Sequence, residues 1–255
     1  MNKNKVIFNQ LLVCDTDHLQ LPKDADQVLS QAERTRLANI TQPKQANTFL
    51  VGRYLLRQLL ARQLHIAPAE LTIAINPKGK PQLQLSDARS LVQWHFNLSH
   101  SQSLLALALS NQAPLGLDIE SRQLNAKQIL RLAKRYFNEW EQSWLASNPQ
   151  PENFLRLWTI KEAVLKADGA GIANNLAAVM WQPEHNEARF GHCRYQLNHY
   201  LVHGASKTLP SRLTLAIQSE HAPPWQQMNV ADLALALEIH GPQPNLETNM
   251  AATSS

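Results

Sequence analysis

The pentapeptide Gly116-Leu117-Asp118-Ile119-Glu120 alternates apolar and acidic side chains along a short predicted strand, Leu115 to Ile119. Residues two apart on a strand face the same side, so Asp118 and Glu120 present two carboxylates together while the intervening apolar residues face the core. Paired hard oxygen donors suit Mg²⁺, which completes its shell with phosphate and water. Taken alone, the same pentapeptide is more often a solvated strand end.

A second acidic position lies on a predicted helix that runs from Phe154 to Ala167 and ends at Gly169 and Gly171, which suit a C-terminal cap. Glu162 and Lys166 stand four residues apart on this helix and therefore share one face. Most such pairs are ordinary surface ion pairs. In the alternative interpretation, Glu162 is a third metal ligand or a base and Lys166 contacts a phosphate.

A third polar cluster, Asn97-Leu98-Ser99-His100-Ser101, ends a strand predicted from Val92 to Leu98. Its histidine either caps a turn, which is the commoner outcome, or contacts a phosphate, as Ser99 also could. Lys80, in the turn Gly79-Lys80-Pro81, offers a further cation on a restrained backbone.

The rest of the chain alternates helical and extended patterns. Helices are predicted at Ser30 to Leu37 (with Ser30 as N-cap), Phe49 to Leu64, within Asn125 to Pro149 and at Val230 to Leu237. Strands are predicted within residues 3–14 and at Leu71 to Ile75, Leu104 to Leu109, Ala177 to Trp181, Arg194 to Val202 and Arg212 to Ile217. A helix followed by strands occurs in each half, so an internal duplication is a hypothesis, although the halves share little residue identity.

Composition excludes several classes of protein. With 255 residues, of which 44% are hydrophobic and 17% charged, the chain is long enough for one large domain or two modest ones and is not of a disordered type. The net charge of +4 permits an anionic ligand without demanding nucleic acid. The longest apolar run, Leu104 to Leu109, is far too short for a bilayer, so no membrane partner is expected.

The location is predicted to be cytoplasmic. No small-residue cleavage pattern follows the apolar residues near the N-terminus, so no secretory signal is expected. The two cysteines, Cys14 and Cys193, are too few for a disulfide framework and lack metal-ligand spacing. A reduced compartment is the simplest interpretation.

Each of these motifs is short, but together and in this order they are specific. They closely resemble the signature of the surfactin-synthetase-type 4′-phosphopantetheinyl transferases, over roughly residues 30 to 180. The matching segments are Gly79-Lys80-Pro81, Phe96-Asn97-Leu98-Ser99-His100-Ser101, Gly116-Leu117-Asp118-Ile119-Glu120, and Trp158-Thr159-Ile160-Lys161-Glu162-Ala163 with Lys166.

This resemblance implies an α+β fold with two similar halves about a pseudo-twofold axis and an active site in the cleft between them. The implied division is 1–113 for a coenzyme A-binding half and 114–240 for a metal-binding, catalytic half. The small and polar composition of residues 241–255 predicts a disordered tail. A chain that carries both halves is expected to be a monomer. The implied activity transfers the 4′-phosphopantetheine arm of coenzyme A to a serine of an apo carrier protein and releases 3′,5′-ADP.

The resemblance also implies roles for individual residues. Asp118, Glu120 and Glu162 would hold Mg²⁺, or Mn²⁺, which accepts the same hard oxygen ligands. Glu162 and Lys166, with Asp118, would be catalytic: Glu162 matches a glutamate that accepts the serine proton, and Lys166 matches a lysine on the transferring phosphate. The implied coenzyme A contacts are Arg36, Lys44, Arg53, Lys80, Pro81, Ser99, His100 and Lys166.

One position departs from the family pattern. Many relatives carry an arginine about five residues before the position of Arg53, where this chain has Thr48. Arg36 and its neighbour Arg34 lie where the family places cations for the 3′-phosphate, and Lys44 or Arg53 could supply the missing charge. The metal-binding positions show no such departure.

Two other functions compete with this one. A Mg²⁺-dependent nuclease or phosphodiesterase also uses spaced acidic residues with a lysine. However, Ser121 and Arg122 follow the acidic pair instead of a Glu-x-Lys spacing, and the basic residues form no continuous stripe. A non-catalytic protein that docks carrier domains would be expected to have lost part of the acidic set, which is intact here.

Overall fold

The computed structural model describes residues 7–77, 79–85, 92–172, 174–204, 210–218, 226–227 and 245–248. These residues form two compact units, and the chain passes from the first to the second between Gln112 and Ala113. Residues 226–227 belong to the first unit and 245–248 to the second. Each unit combines helices with a sheet, which confirms the predicted α+β class.

The first unit is built on a four-stranded sheet in the order β11-β1-β5-β4. Its elements are β1 (Asn9–Asp15), α1 (Gln31–Ala38), α2 (Pro43–Leu64), β2 (Thr72–Ile75), β3 (Pro81–Gln84), β4 (His95–Ser101), β5 (Leu104–Ser110) and β11 (Gln226–Gln227). Strands β1 and β4 both pair antiparallel with β5, β11 runs parallel to β1, and β2 and β3 form a separate hairpin.

The core of the first unit lies where α2 packs on this sheet. Val51, Leu55 and Leu56 are fully buried in one cluster with residues of β1 and β5. All seven residues of β5 are buried, as expected for a strand covered on both faces. At the start of α1 the predicted N-cap, Ser30, forms a capping box with Glu33.

The second unit contains a sheet in the order β6-β10-β9-β8-β7, with β12 paired to β9. Its elements are β6 (Leu115–Glu120), α3 (Ala126–Tyr136), α4 (Glu139–Ser147), α5 (Pro151–Asp168), β7 (Met180–Gln182), β8 (Glu187–Phe190), β9 (Cys193–His203), β10 (Ser211–Ile217) and β12 (Asn245–Thr248). Short 3₁₀ turns lie at Ala25–Val28 and Pro68–Glu70 in the first unit and at Leu176–Ala178 and Pro183–His185 in the second.

Helix α5 packs across β6 and β10 and carries the hydrophobic core of the second unit, with Phe154, Leu157 and Ile160 fully buried. The helix ends as predicted at Gly169, whose φ of +82° is in the left-handed region that glycine adopts at low cost.

Several predicted boundaries need correction. Helix α2 begins at Pro43, six residues before the predicted Phe49, because proline suits the first helical position. The helical pattern from Asn125 to Pro149 is two helices, and Asn138 caps the second one. The short strands β3 and β8 were not predicted, because runs of four residues carry too little periodicity.

The strand predicted from Ala177 to Trp181 divides into a 3₁₀ turn and the short strand β7. The predicted disordered tail is wrong for Asn245–Thr248, which forms β12. Strand β9 extends beyond its pairing with β8, so Tyr200–His203 would otherwise be a free edge, and β12 pairs there. The helix predicted at Val230 to Leu237 lies outside the described residues.

Cys14 and Cys193 are both free thiols. In the described ranges, no helix has the length and apolar character needed to cross a membrane.

Candidate active site

A cluster of three carboxylates and a lysine lies in the second unit, where α5 packs on β6. The Lys166 ammonium lies 2.6 Å from Asp118 Oδ1 and 3.3 Å from Glu162 Oε2. The side chain of Asp118 is 3% exposed, and those of Glu162 and Lys166 are 14% and 21% exposed. Glu120 lies on the same face of β6 as Asp118. The structure therefore brings together the four residues predicted to be metal-binding or catalytic.

Close packing of α5 on β6 creates this cluster. A Cβ atom at Gly116 would lie 2.0 Å from the backbone oxygen of Ala163 and 2.3 Å from the nitrogen of Ala167. Only glycine permits this separation, because any Cβ there would overlap the helix backbone. The helix therefore lies near enough to β6 for Lys166 to reach Asp118.

A buried ion pair holds the same helix from its other side. The side chains of Lys161 and Glu141 are both fully buried, with 2.8 Å between Nζ and Oε1. Lys161 also donates to the backbone oxygens of Leu176 and Val179, at 2.9 and 2.6 Å. Because Lys161 directly precedes Glu162, these contacts help to fix the position of Glu162 on α5.

Burial controls the electrostatics of the cluster. It raises the pKa of Asp118 to about 7; Lys166 opposes this shift, and the neighbouring Glu162 and Glu120 add to it. Burial lowers the pKa of Lys166, but Asp118 and Glu162 outweigh that effect, so its net shift is upward. Lys166 therefore stays charged and partly neutralises crowded carboxylates.

Arg122 compensates the third carboxylate. Burial raises the pKa of Glu120, and Arg122 opposes the shift through a contact of 3.0 Å between Nε and Oε2. The guanidinium of Arg122 lies 4.6 Å above the Trp158 ring, which restricts its position.

The donor set has the chemistry that Mg²⁺ requires. Asp118, Glu120 and Glu162 are hard oxygen donors, and their mutual repulsion would be relieved by a cation. Within the described ranges, however, no three His, Cys, Asp or Glu side chains already converge with the spacing of a metal site. The ammonium of Lys166 instead contacts two of the three predicted ligands, and its long, flexible side chain allows it to move.

A cavity of about 720 Å³ lies in the first unit, within the size range of small-molecule sites. Five residues predicted to contact coenzyme A line it: Arg36, Lys44, Arg53, Pro81 and His100. Thr48, the position that departs from the family pattern, also lines the cavity. Its hydroxyl donates a hydrogen bond to the backbone oxygen of Lys44.

One end of this cavity is strongly cationic. Arg36 and Arg53 lie 5.2 and 5.4 Å from the centre of the Phe49 ring. Burial lowers the pKa of Arg53, Glu33 raises it, and Arg36 lowers it further. Glu33 also binds the fully buried Arg57, with 2.6 Å between the carboxylate and guanidinium. The cavity therefore presents two neighbouring guanidiniums, and Glu33, which pairs with Arg53, is shared with Arg57.

Four positions that the resemblance assigns to coenzyme A or its 3′-phosphate do not line this cavity: Arg34, Lys80, Ser99, and Lys166 of the carboxylate cluster. Ser99 is buried and does not line the cavity, although Asn97, Leu98 and His100 on the same strand do. Lys80 also lies outside the lining, although Pro81 beside it is part of it. The Arg34 guanidinium donates a hydrogen bond to the backbone oxygen of Leu29, and Arg34 does not line the cavity.

Sequence reasoning missed other residues of both sites. Phe49, Gln45, Gln102 and Gly52 line the cavity, and no motif indicated them. The role of Glu33 was detectable, since the Ser-x-x-Glu spacing after Ser30 is a capping-box signature. The close approach at Gly116 had no such signal, because a single glycine in a strand predicts a near neighbour without identifying it.

Comparison with known proteins identifies matches along most of the chain. Residues 114–217 match the family model described as the 4′-phosphopantetheinyl transferase superfamily, and residues 20–112 match the one described as 4′-phosphopantetheinyl transferase, N-terminal. A putative 4′-phosphopantetheinyl transferase of Synechocystis sp. is 36% identical over 71% of this chain and 72% of its own length.

Two further relatives carry the same description. The 4′-phosphopantetheinyl transferase HetI of Nostoc sp. is 34% identical over 65% of this chain and 73% of its own length. The 4′-phosphopantetheinyl transferase Sfp of Bacillus subtilis is 32% identical over 58% of this chain and 69% of its own length.

Proposed function

This chain belongs to the 4′-phosphopantetheinyl transferase superfamily, and from that premise we propose that the cluster of Asp118, Glu162 and Lys166 is its catalytic centre. The enzyme transfers the 4′-phosphopantetheine arm of coenzyme A to a serine of a carrier protein. One observation carries the proposal: a charged lysine lies within 2.6 and 3.3 Å of two carboxylates that packing has partly desolvated.

In this reaction the serine oxygen forms a bond to the phosphorus that carries pantetheine, and the bond from that phosphorus to the oxygen of 3′,5′-ADP breaks. We assign Glu162 as the group that accepts the serine proton, because its side chain is ionisable and partly accessible at the helix surface. Lys166 would donate hydrogen bonds to the transferring phosphate, where a fixed cation stabilises developing charge.

We assign Asp118, Glu120 and Glu162 as the residues that would hold Mg²⁺ or Mn²⁺. When bound, such an ion supplies charge neutralisation to the pyrophosphate. The support is the crowding of the three carboxylates, each of which feels another's charge. In the metal-bound enzyme Lys166 would exchange its contacts with Asp118 and Glu162 for contacts with phosphate oxygens.

We assign the cavity of the first unit to coenzyme A. Its basic residues, Arg36, Lys44, Arg53 and His100, would bind phosphate groups, and the ring of Phe49 offers an apolar surface to the nucleotide. The neutral Thr48 leaves the 3′-phosphate to Arg36 and Arg53. We further propose a cytoplasmic monomer that binds neither nucleic acid nor membrane. The free thiols and the presence of a cavity and a carboxylate cluster in one chain support this.

Intact-mass spectrometry of an apo carrier protein, incubated with the enzyme, coenzyme A and Mg²⁺, tests the proposal. We expect the carrier to gain the mass of one phosphopantetheine arm, and EDTA to abolish the gain. Glu162→Gln and Asp118→Ala should abolish turnover in folded protein, whereas Glu139→Gln, on an exposed residue of α4 in the same unit, should not. A near wild-type rate in either site variant would overturn the catalytic assignment.

A further inference from the structure

Strand β10 carries a basic residue on the same face of the sheet as the catalytic carboxylates. Cross-strand pairing places Arg212 opposite Glu120 and Thr214 opposite Asp118. Directly opposite residues of an antiparallel pair project to the same side. The row continues onto β9, where His199 lies opposite Thr214.

Helix α5 brings a second arginine to this position. The hydroxyl of Thr159 lies 2.8 Å from that of Thr214, and Arg156 lies one helical turn earlier, towards the N-terminal end of α5. The two arginines are close enough for Arg156 to lower the pKa of Arg212, in addition to the larger lowering by burial. Two guanidiniums therefore lie near each other beside, but outside, the carboxylate cluster.

The charges of this pair are poorly compensated. In the described part of the chain, neither Arg156 nor Arg212 has a carboxylate oxygen within the 4.0 Å of an ion pair. The contact that Arg156 does make is with the Trp181 ring, 5.1 Å from its centre. Glu152 acts on Arg212 only as a weaker, opposing charge.

The half-buried side chain of His199 completes the group. His199 Nδ1 lies 3.1 Å from the Thr214 hydroxyl, whereas its Nε2 is buried and has no hydrogen-bond partner among the residues described. Burial lowers the pKa of His199 to about 3, and both Arg156 and Arg212 lower it further. A buried ring nitrogen without a hydrogen-bond partner costs free energy. A ligand that accepts a hydrogen bond from Nε2 would remove that cost.

We propose that Arg156, Arg212 and His199 form an oxyanion site that binds a carboxylate of the carrier protein, on an acidic residue within about three positions of the acceptor serine. This inference rests on the proposed function. Guanidiniums bind carboxylates through paired N–H donors, and neutral His199 would add a third donor at Nε2. The bound anion would supply the missing negative charge.

Distances along the chain favour a carrier carboxylate over the transferring phosphate. Arg156 precedes Lys166 by ten residues of helix, about 15 Å, which places its backbone well away from the phosphate that Lys166 would contact. Arg156 precedes Glu162 by six residues, a rise of about 9 Å along the helix. A peptide whose serine reaches Glu162 spans that distance with about three extended residues.

Steady-state kinetics with Arg212→Gln tests the site, because Arg212 makes no described contact that the fold depends on. We expect the KM for the carrier protein to rise about tenfold, with the KM for coenzyme A unchanged, and Arg212→Lys to recover part of the loss. Arg156→Gln should act in the same way. The matched control is the double variant Arg189→Gln/Arg194→Gln, a cross-strand pair of exposed arginines in the same unit.

The carrier side is tested by neutralising, one at a time, each acidic residue within three positions of the serine. For one of these carrier variants, Arg212→Gln should no longer raise the KM for the carrier. That result would identify the neutralised residue as the partner of Arg212. A rise in the KM for coenzyme A alone would assign the site to a coenzyme A phosphate and overturn the proposal. Unchanged KM values would also overturn it.

Titration with acetate, followed by the His199 ¹⁵N resonance, separates this inference from the proposed function. Acetate should shift that resonance in the wild-type protein and not in Arg212→Gln, whether or not transfer occurs. No shift in the wild-type protein would overturn the anion site even in an active enzyme. A shift in a protein that transfers nothing to any carrier would leave an anion site but overturn its role in carrier binding.

Discussion

Substitution of Gly116 by alanine should move Glu162 and Lys166 on α5 away from Asp118 on β6. The new Cβ would lie 2.0 Å from the Ala163 backbone oxygen, whereas unstrained contacts of this kind need well over 3 Å. Relief requires α5 and β6 to separate by about 1 Å or more, since the opposing atoms are backbone. Glu162 and Lys166 move with the helix, so their geometry with Asp118 is lost.

We expect this change to lower kcat about 100-fold, the effect of a misplacement of about 1 Å, and to cost about 1–3 kcal/mol of stability from overpacking. The assay is phosphopantetheine transfer onto an apo carrier, with stability measured by urea unfolding. The KM for coenzyme A should change little, because the proposed coenzyme A cavity lies in the first unit.

The matched control is Gly191→Ala, in the turn between β8 and β9. Gly191 has a φ of +58° and nothing within 4 Å of its Cβ position, so alanine there costs about 1–2 kcal/mol through backbone strain alone. This variant should retain its kcat. If Gly116→Ala kept kcat within threefold of wild type, or if Gly191→Ala lost as much, the link from helix packing to catalysis would be refuted.

Three further predictions concern ionisable side chains that are wholly or partly buried. Lys161→Met should destabilise the protein by about 3–5 kcal/mol, because Glu141 is left as an unpaired buried charge; Lys161→Met/Glu141→Gln should recover at least half of the loss in chemical denaturation. His199 titrates near 6.5 when unfolded and near 3 when folded, so the unfolded state binds more protons and stability falls as the pH drops from about 6.5 towards 3. His199→Gln should lessen this fall by about 1.4 kcal/mol per pH unit, measured as the variant-minus-wild-type difference in unfolding free energy; parallel profiles would contradict the assignment. Lys166→Met should lower kcat more than the KM for coenzyme A, and an effect on KM alone would show that Lys166 acts in binding and not on the transferring phosphate.

The main elements of the described fold could be read from the sequence because their signals are local. The N-cap serine of α1, the glycine cap of α5 and the apolar run of β5 each depend on a few neighbouring residues, and all three were confirmed. Short strands were missed, and β12 was taken for disordered chain. Its pairing depends on the free edge of β9, more than forty residues earlier in the sequence.

The candidate site shows the same division. Alternation on a strand was enough to predict that Asp118 and Glu120 share a face, and helical spacing was enough to pair Glu162 with Lys166. Alternation could not have predicted that His100 and not Ser99 lines the cavity, since the successive β4 residues Phe96, Asn97 and Leu98 all line it. The cationic end of the cavity was predicted only as a set of positions, because the family resemblance indicates residues and not their arrangement.

The sequence by itself determined the family, the order of the motifs and the two local carboxylate patterns, because backbone geometry repeats every two residues in a strand and every 3.6 in a helix. The tertiary structure alone decided that Lys166 contacts Asp118, 48 residues away, and that Asp118 is buried. It also decided that the charges of Arg156 and Arg212, from a helix and a strand far apart in the sequence, both act on His199. Contacts of this kind depend on how closely two elements pack and on how much water that packing removes, and no local periodicity encodes either quantity.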